Sequence, residues 1–241
     1  MAVTNRESGT RIDEIEDGIF KIHTPVPAMP GGFSFNQYLV FDVEPLLFHT
    51  GPRKMFPLVR EAIAHVMPID RLRWISFSHF EADECGALNE ILAVAPDAQP
   101  LCSNVAAMVS VDDVADRAAR GMIDGETLSI GKRTLTWIDT PHLPHAWECG
   151  VLADVQGGVL FCGDLFTQPG ADHAPITEAD ILGPSEAFRG AMDYFSHTRR
   201  SRALIDKLAR LEPRTLACMH GAAWRGDGAK LLGALGDVLD P

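Results

Sequence analysis

The chain has 241 residues, 46% hydrophobic and 22% charged, which is enough apolar material for one large domain and too much for a disordered or collagen-like chain. Lys and Arg number 21 against 33 Asp and Glu, a formal net charge of −12, so neither nucleic acid nor an anionic membrane, each of which calls for a basic face, is expected as a partner. The N-terminal stretch MAVTNRESGTRIDEIEDG has no apolar signal core, no run approaches the roughly 20 residues that span a bilayer, and the five cysteines include no C-x-x-C pair, so a reducing cytoplasmic setting is expected.

In chain order, residues 1–17 read as an N-terminal extension and 18–241 as the domain. GIFKIH (18–23), NQYLVF (36–41) and LLFH (46–49) are short strands rich in β-branched and aromatic residues, and the Pro- and Gly-dense PVPAMPGG between the first two is a loop. Residues 54–66 form an amphipathic helix, with Phe56, Val59, Ile63 and Val66 at helical spacing. LRWISFS (72–78) is a buried strand that runs straight into His79. A helix at about 85–95, the strand PLCS and helical turns over 104–119 follow. The strands ETLSIG, RTLTWIDT, CGVLADV and GVLFCGD come next, then helices over 184–197 and 199–211. RTLACMH is a last strand, and 226–238 a last helix. The pattern predicts an α/β fold of two sheets packed face to face with helices outside, in a single domain.

The chemistry concentrates in SHFEADECG, residues 78–86. His79, Glu81 and Asp83 occupy alternate positions after a buried strand, so an extended backbone aims all three to one side. Taken alone, this segment also reads as a polar turn in which Asp83 or Glu84 caps the next helix. Three later segments shift the balance. DTPHLPHAWECG brings His142 and His145 to a strand end, GVLFCGDLF does so with Asp164, and RTLACMHG with His220. Ionisable groups at four strand ends are costly to bury without a common partner, and a metal cluster is such a partner.

In this order, His79-x-Glu81-x-Asp83, His145, Asp164 and His220 resemble the metallo-β-lactamase superfamily, from about Gly18 to Leu239. Its zinc hydrolases carry H-x-H-x-D-H. Glu81 in place of the second His resembles the diiron branch: the flavodiiron oxygen and nitric oxide reductases and the stand-alone oxygen-binding diiron proteins. The resemblance implies an αββα sandwich. It also implies that His79, Glu81 and His145 hold a first metal, that Asp83 and His220 hold a second, and that Asp164 bridges them. Relatives place a His directly after the motif Asp, and this chain has Glu84, which either ligates the second metal or leaves a position open. Carboxylate-rich ligation favours two iron ions over zinc, with zinc and manganese as the alternative metals.

Other residues have weaker claims. His142, Trp147 and Tyr194 are candidates to surround the metals, Tyr194 as a hydrogen-bond donor. His23, His49, His65, His173 and His197 have no ligand-like company, although the loop carrying His173 can reach the site. Cys85, Cys149, Cys162 and Cys218 lie within four residues of a candidate ligand and read as buried packing groups. The resulting expectation is a non-haem diiron protein that binds, and can reduce, dioxygen or another diatomic gas. It would act as an oxygen or redox sensor, or as an oxidoreductase without its own flavin domain, fed or read by a separate electron-donor or signalling protein. A metal-dependent hydrolase is the alternative. The residues leave open whether the chain is an oligomer.

Overall fold

The computed structural model describes residues 2–240. The first sheet holds eight strands side by side in chain order: β1 (Ala2–Asn5), β2 (Thr10–Glu16), β3 (Ile19–Val26), β4 (Phe33–Val40), β5 (Leu46–Phe48), β6 (Trp74–Ser76), β7 (Gln99–Ser103) and β8 (Arg120–Met122). β1 to β5 pair antiparallel through short connections, and β5 to β8 pair parallel. Parallel neighbours need a crossover long enough to return the chain to the starting edge. Helix α1 (Phe56–Ala64) supplies it between β5 and β6, and α2 (Ala82–Cys85) with α3 (Leu88–Val94) between β6 and β7. A helical stretch supplies it between β7 and β8: α4 (Asn104–Ala106), a π-helical turn (Ala107–Val111) and α5 (Asp112–Val114).

The second sheet contains β9 (Thr127–Ser129), β10 (Thr134–Asp139), β11 (Gly150–Asp154), β12 (Val159–Gly163), β13 (Ile176–Thr177), β14 (Thr215–Cys218) and β15 (Ala223–Arg225), in the spatial order 13-15-14-12-11-10-9. Helices α6 (Leu182–Met192) and α7 (Ser201–Ala209) lie between β13 and β14, and α8 (Gly228–Leu239) closes the fold.

Period-two alternation builds the layers. In β4 and β5, Tyr38, Val40, Leu46 and Phe48 face the second sheet. Leu39 and Leu47 face outward and meet Val59 and Ile63 of α1 and Ile91 of α3. In β12, Val159 and Phe161 point between the sheets. Leu160 and Cys162 point under Leu204, Ile205 and Leu208 of α7 and Leu232 of α8. Each such Leu, Ile or Phe withdrawn from water contributes about 1.5–3 kcal/mol. The result is the expected sandwich, with helices on both outer faces.

Several details differ from the sequence reading. Residues ahead of Gly18, read as an extension, form β1 and β2 and pair antiparallel with each other and with β3. β2 escapes a pattern reading because Arg11 and Asp13 are buried as an ion pair, 3.3 Å apart, where alternation predicts apolar residues. The helix expected over 85–95 is two helices, interrupted at Gly86 and Ala87. The helix expected to reach residue 197 stops at Met192, where Asp193 takes a left-handed conformation (φ 50°). The three-residue strands β8 and β15 and the two-residue β13 are too short to carry a period. Among the described residues, no helix is long and apolar enough to cross a membrane.

One contact ties the two sheets together beside the strand ends. The Gly150 N–H donates to Ser78 O across the interface at 2.8 Å. A Cβ on Gly150 would lie 2.2 Å from the ring of Trp137, which is fully buried between the sheets. Gly150→Ala should therefore overpack the core and cost about 1–3 kcal/mol, read as a lower urea midpoint at unchanged m-value. An unchanged midpoint would show that Trp137 is free to move aside.

Candidate metal centre

Four strand ends deliver the candidate ligands to one edge of the sandwich. β6 leads through Phe77 and Ser78 to His79, and the turn into α2 carries Glu81, Asp83 and Glu84. The loop after β10 carries His145. Asp164 directly follows β12, and His220 lies two residues beyond β14. The turn is held from outside, because Phe80 N–H donates to the Glu148 carboxylate at 3.0 Å.

Two groups of donor atoms result, each with all atoms within 4.8 Å of one another: His79, Glu81, His145 and Asp164, and then Asp83, Glu84 and His220. In the first, His79 Nε2 and His145 Nε2 each lie 3.0 Å from Glu81 Oε2. Asp164 Oδ2 lies 3.7 Å from His79 Nε2 and 3.5 Å from His145 Nε2. The other oxygen of Asp164, Oδ1, lies 3.2 Å from His220 Nε2, which is itself 3.5 Å from Asp83 Oδ2. One carboxylate thus faces both groups, an oxygen to each. Ligands bonded at about 2.1 Å to a shared ion sit roughly 3.0–3.5 Å apart, so the spacings fit a metal ion in each group.

Unpartnered buried atoms make the same point. Glu84 is fully buried, and neither of its oxygens has a hydrogen-bond partner among the described residues; Asp164 Oδ1 is likewise without one. Burial, then the nearby Asp164, pushes the Glu84 carboxyl well above its ordinary range. Burial acts against ionisation of Asp164 as well, but His220, His79 and His145 outweigh it and hold that carboxyl below its ordinary range. Hydrogen bonds from His145 and His79 bring Glu81 down to about 2. Burial disfavours the His220 imidazolium, yet Asp164 and Asp83 raise it to about 10. His79 is raised further, with Glu84 outweighing its burial. These carboxylates draw protons onto the imidazoles when nothing else offers positive charge. A dication would take that place and release the protons.

The histidine orientations suit such an ion. His220 Nδ1 donates to the carbonyl of Ser34 at 2.8 Å, which leaves the Nε2 lone pair facing the carboxylates. The end of β14 is held from the first sheet: Tyr38 Oη donates to Cys218 O at 2.7 Å, Asn36 Nδ2 to Cys218 O and Gly221 O at 2.9 Å, and Lys21 Nζ to Gly221 O at 2.6 Å. His79 Nδ1 lies 3.0 Å from Ser78 Oγ, which is 3.1 Å from His49 Nε2. With its proton on Nδ1, His79 donates to Ser78, and Ser78 in turn donates to His49.

All seven sequence-predicted ligands fall in the two groups. His142 does not: it is exposed on its loop at φ 66°. Trp147 is exposed and lines a separate 240 Å³ hollow with Asn104 and Ile123. Tyr194 stands beside the centre, its ring 6.0 Å from that of His145 and its hydroxyl donating to Asp164 O at 3.3 Å. Sequence reasoning missed Ser34, Ser78 and His49. It also missed an aromatic wall, in which the Phe33 and Phe35 rings lie 4.4 and 5.4 Å from His220 and Phe33 stacks on Phe188. Phe33 and Phe35 lie on the same strand as Asn36, so the clue available was an aromatic pair beside the Gly-rich loop. A groove of about 620 Å³ runs past Arg53, Phe80 and Leu88 and reaches Glu81 but none of the other six candidate ligands.

A family model described as ODP family beta lactamase matches residues 33–221. The anaerobic nitric oxide reductase flavorubredoxin of Pectobacterium carotovorum is 27% identical over 216 residues, 83% of this chain and 41% of that protein. The nitric oxide reductase of Moorella thermoacetica is 26% identical over 249 residues, 91% of this chain and 59% of that protein. The chain therefore spans about half the length of these relatives. In fold it is similar to the Flv1 flavodiiron core from Synechocystis (TM-score 0.83, 19% identity, 95% of this chain and 60% of that one). It is also similar to the rubredoxin oxygen:oxidoreductase of Desulfovibrio gigas (TM-score 0.79, 22% identity, 94% and 61%).

The burial of Glu84 separates its two readings. A helix-capping carboxylate sits in solvent and contributes about 0.3–1 kcal/mol, whereas this one is sealed against Asp83 and His220. Glu84→Ala should empty the second site while the first stays filled, read as iron per chain by elemental analysis after anaerobic reconstitution. An alanine variant that holds as much iron as the parent would remove Glu84 from the ligand set.

Proposed function

From the chain's membership of the ODP beta-lactamase family, which the match over residues 33–221 establishes, we propose that it is the diiron core of an oxidoreductase acting on a diatomic gas, dioxygen first and nitric oxide second. His79, Glu81 and His145 hold one iron, Asp83, Glu84 and His220 the other, and Asp164 joins them. The observation that carries this reading is the split of Asp164, one oxygen toward each group of ligands.

The donor set supports iron. Four carboxylates and three imidazoles make a hard, anionic shell that suits iron better than zinc and balances the charge of an oxidised pair. Bound iron supplies the electrons and the coordination positions for the gas. The protein supplies an aromatic wall: Phe33, Phe35, Phe188 and Tyr194 line one side of the centre, where a small apolar gas loses little on leaving water. Tyr194 braces the bridging residue through the backbone of Asp164. Ser34 and Ser78 hold the proton-bearing nitrogens of His220 and His79, so those rings keep their ligand atoms aimed inward.

The names of the relatives support the substrate class, since they are nitric oxide reductases and, among solved structures, an oxygen oxidoreductase paired with rubredoxin. A small redox protein is accordingly the external donor class we assign, and the cytoplasm the setting. No observation favours the hydrolase reading, which needs a more nitrogen-rich pair of sites.

Glu81→His restores the zinc-hydrolase ligand pattern and removes one anionic ligand from the first site. The parent, loaded with ferrous iron under anaerobic conditions, should oxidise on exposure to air and consume oxygen, and the variant should retain zinc and lose that reaction. An oxygen electrode and metal analysis read both. A variant that consumes oxygen as the parent does, or a parent that holds two zinc ions and hydrolyses esters, would contradict the proposal.

A further inference from the structure

Cys162 and Cys218 are the nearest chemistry that the proposed centre does not use. They lie on β12 and β14, which are parallel neighbours. Phe161 stands opposite Ala217, the register then shifts so that Gly163 stands opposite Cys218, and both cysteines point to the helix-covered face of the sheet. The two Sγ atoms are 3.7 Å apart and both residues are fully buried. The five cysteines of the chain are all free thiols, and among the described residues this pair brings two sulfurs into contact.

Two features set the pair apart from ordinary packing cysteines. Neighbouring strands run about 4.8 Å apart, inside the Cα separation of roughly 4.4–6.8 Å that a disulfide spans. Closing the sulfurs from 3.7 Å to about 2.05 Å takes a movement of about 1.7 Å. Each thiol also sits two residues before a candidate ligand in the chain, Cys162 before Asp164 and Cys218 before His220. Two residues of chain reach at most about 7 Å, so each thiol's backbone lies within that distance of the ligand's.

We infer that Cys162 and Cys218 form a redox-active dithiol that returns the oxidised metal pair to its reduced state from within the chain, an inference that rests on the diiron reading above. The two S–H bonds break and one S–S bond forms, releasing two electrons and two protons. The electrons convert two ferric ions to ferrous, and the protons leave on the reduced gas. With dioxygen as oxidant the net reaction is O2 + 2 Cys–SH → H2O2 + Cys–S–S–Cys. With nitric oxide it is 2 NO + 2 Cys–SH → N2O + H2O + Cys–S–S–Cys. Thiol–disulfide exchange requires access for an attacking thiolate, so a bridge sealed under Leu204 and Leu232 persists after the gas is gone.

The test uses the full chain, loaded with ferrous iron under anaerobic conditions and exposed to air with no added donor. Iron content and oxidation state are read by elemental analysis and visible spectra. Thiols are read by alkylation in denaturant and peptide mapping. Two of the five thiols should disappear into a peptide linking Cys162 to Cys218. Because the dithiol is a two-electron couple like the iron pair, the parent should consume about twofold more oxygen per iron pair than Cys162→Ser or Cys218→Ser. Iron that oxidises while every thiol stays free overturns the inference and leaves the diiron reading standing. Iron that fails to bind or to oxidise overturns the diiron reading, and this inference with it.

Discussion

Acidic groups crowded into a dry place are the constraint on which the rest of this structure depends. Glu84 and Asp164 are buried together with His79 and His220, and the donor atoms of Asp83, Glu84 and His220 lie within 4.8 Å of one another. Two like charges about 5 Å apart repel by roughly 3 kcal/mol even at an effective dielectric near 20, and burial adds a desolvation cost. No described residue offers either Glu84 oxygen a hydrogen bond. Cations would neutralise such a cluster, and the six other donors arranged around the Asp164 carboxylate could hold them.

The sandwich supplies the rigidity that this arrangement needs. The donors stand on ends of buried strands or on turns anchored to them, and the inter-sheet core of Tyr38, Phe48, Trp137 and Phe161 fixes the separation of the two sheets. Hydrogen bonds cross from one sheet to the ligand-bearing edge of the other: Gly150 to Ser78, Tyr38 to Cys218, Lys21 to Gly221 and His220 to Ser34. Each of them ties a residue near a candidate ligand to a partner from the opposite half of the chain. A shift between the sheets would therefore open both metal groups at once. The same packing brings the sulfurs of Cys162 and Cys218 to 3.7 Å from each other, each two residues ahead of a candidate ligand.

Much of the centre was legible because each ligand follows an apolar strand, and that local pattern survives without any knowledge of pairing. Asp164 after VLFCG and His220 after TLACM are of this kind. The two-sheet architecture was legible for the same reason: β5, β11 and β12 are nearly all apolar. What escaped depends on contacts made across the fold. Glu84 reads as a cap or a ligand, with its place directly after Asp83 favouring the ligand only slightly, and its burial is invisible in the sequence. His49 carries no sign that Ser78 will lie against it, and Phe33 none that it will cover His220. β2 was missed because its buried positions hold Arg11 and Asp13, which tertiary pairing makes tolerable and a hydrophobic pattern cannot register. His142 drew attention through its spacing from His145, but its left-handed turn leaves it in solvent.

The central claim is that two metal ions share one carboxylate, and electron paramagnetic resonance of the oxidised, iron-loaded protein tests it most directly. Two ferric ions joined through Asp164 couple their spins and give an EPR-silent ground state at two irons per chain. Replacing Asp164 with Asn should remove the shared charge and with it at least one of the irons. A parent protein showing the full signal of isolated high-spin ferric iron, or an Asp164→Asn variant that keeps two coupled irons at unchanged affinity, would contradict the account.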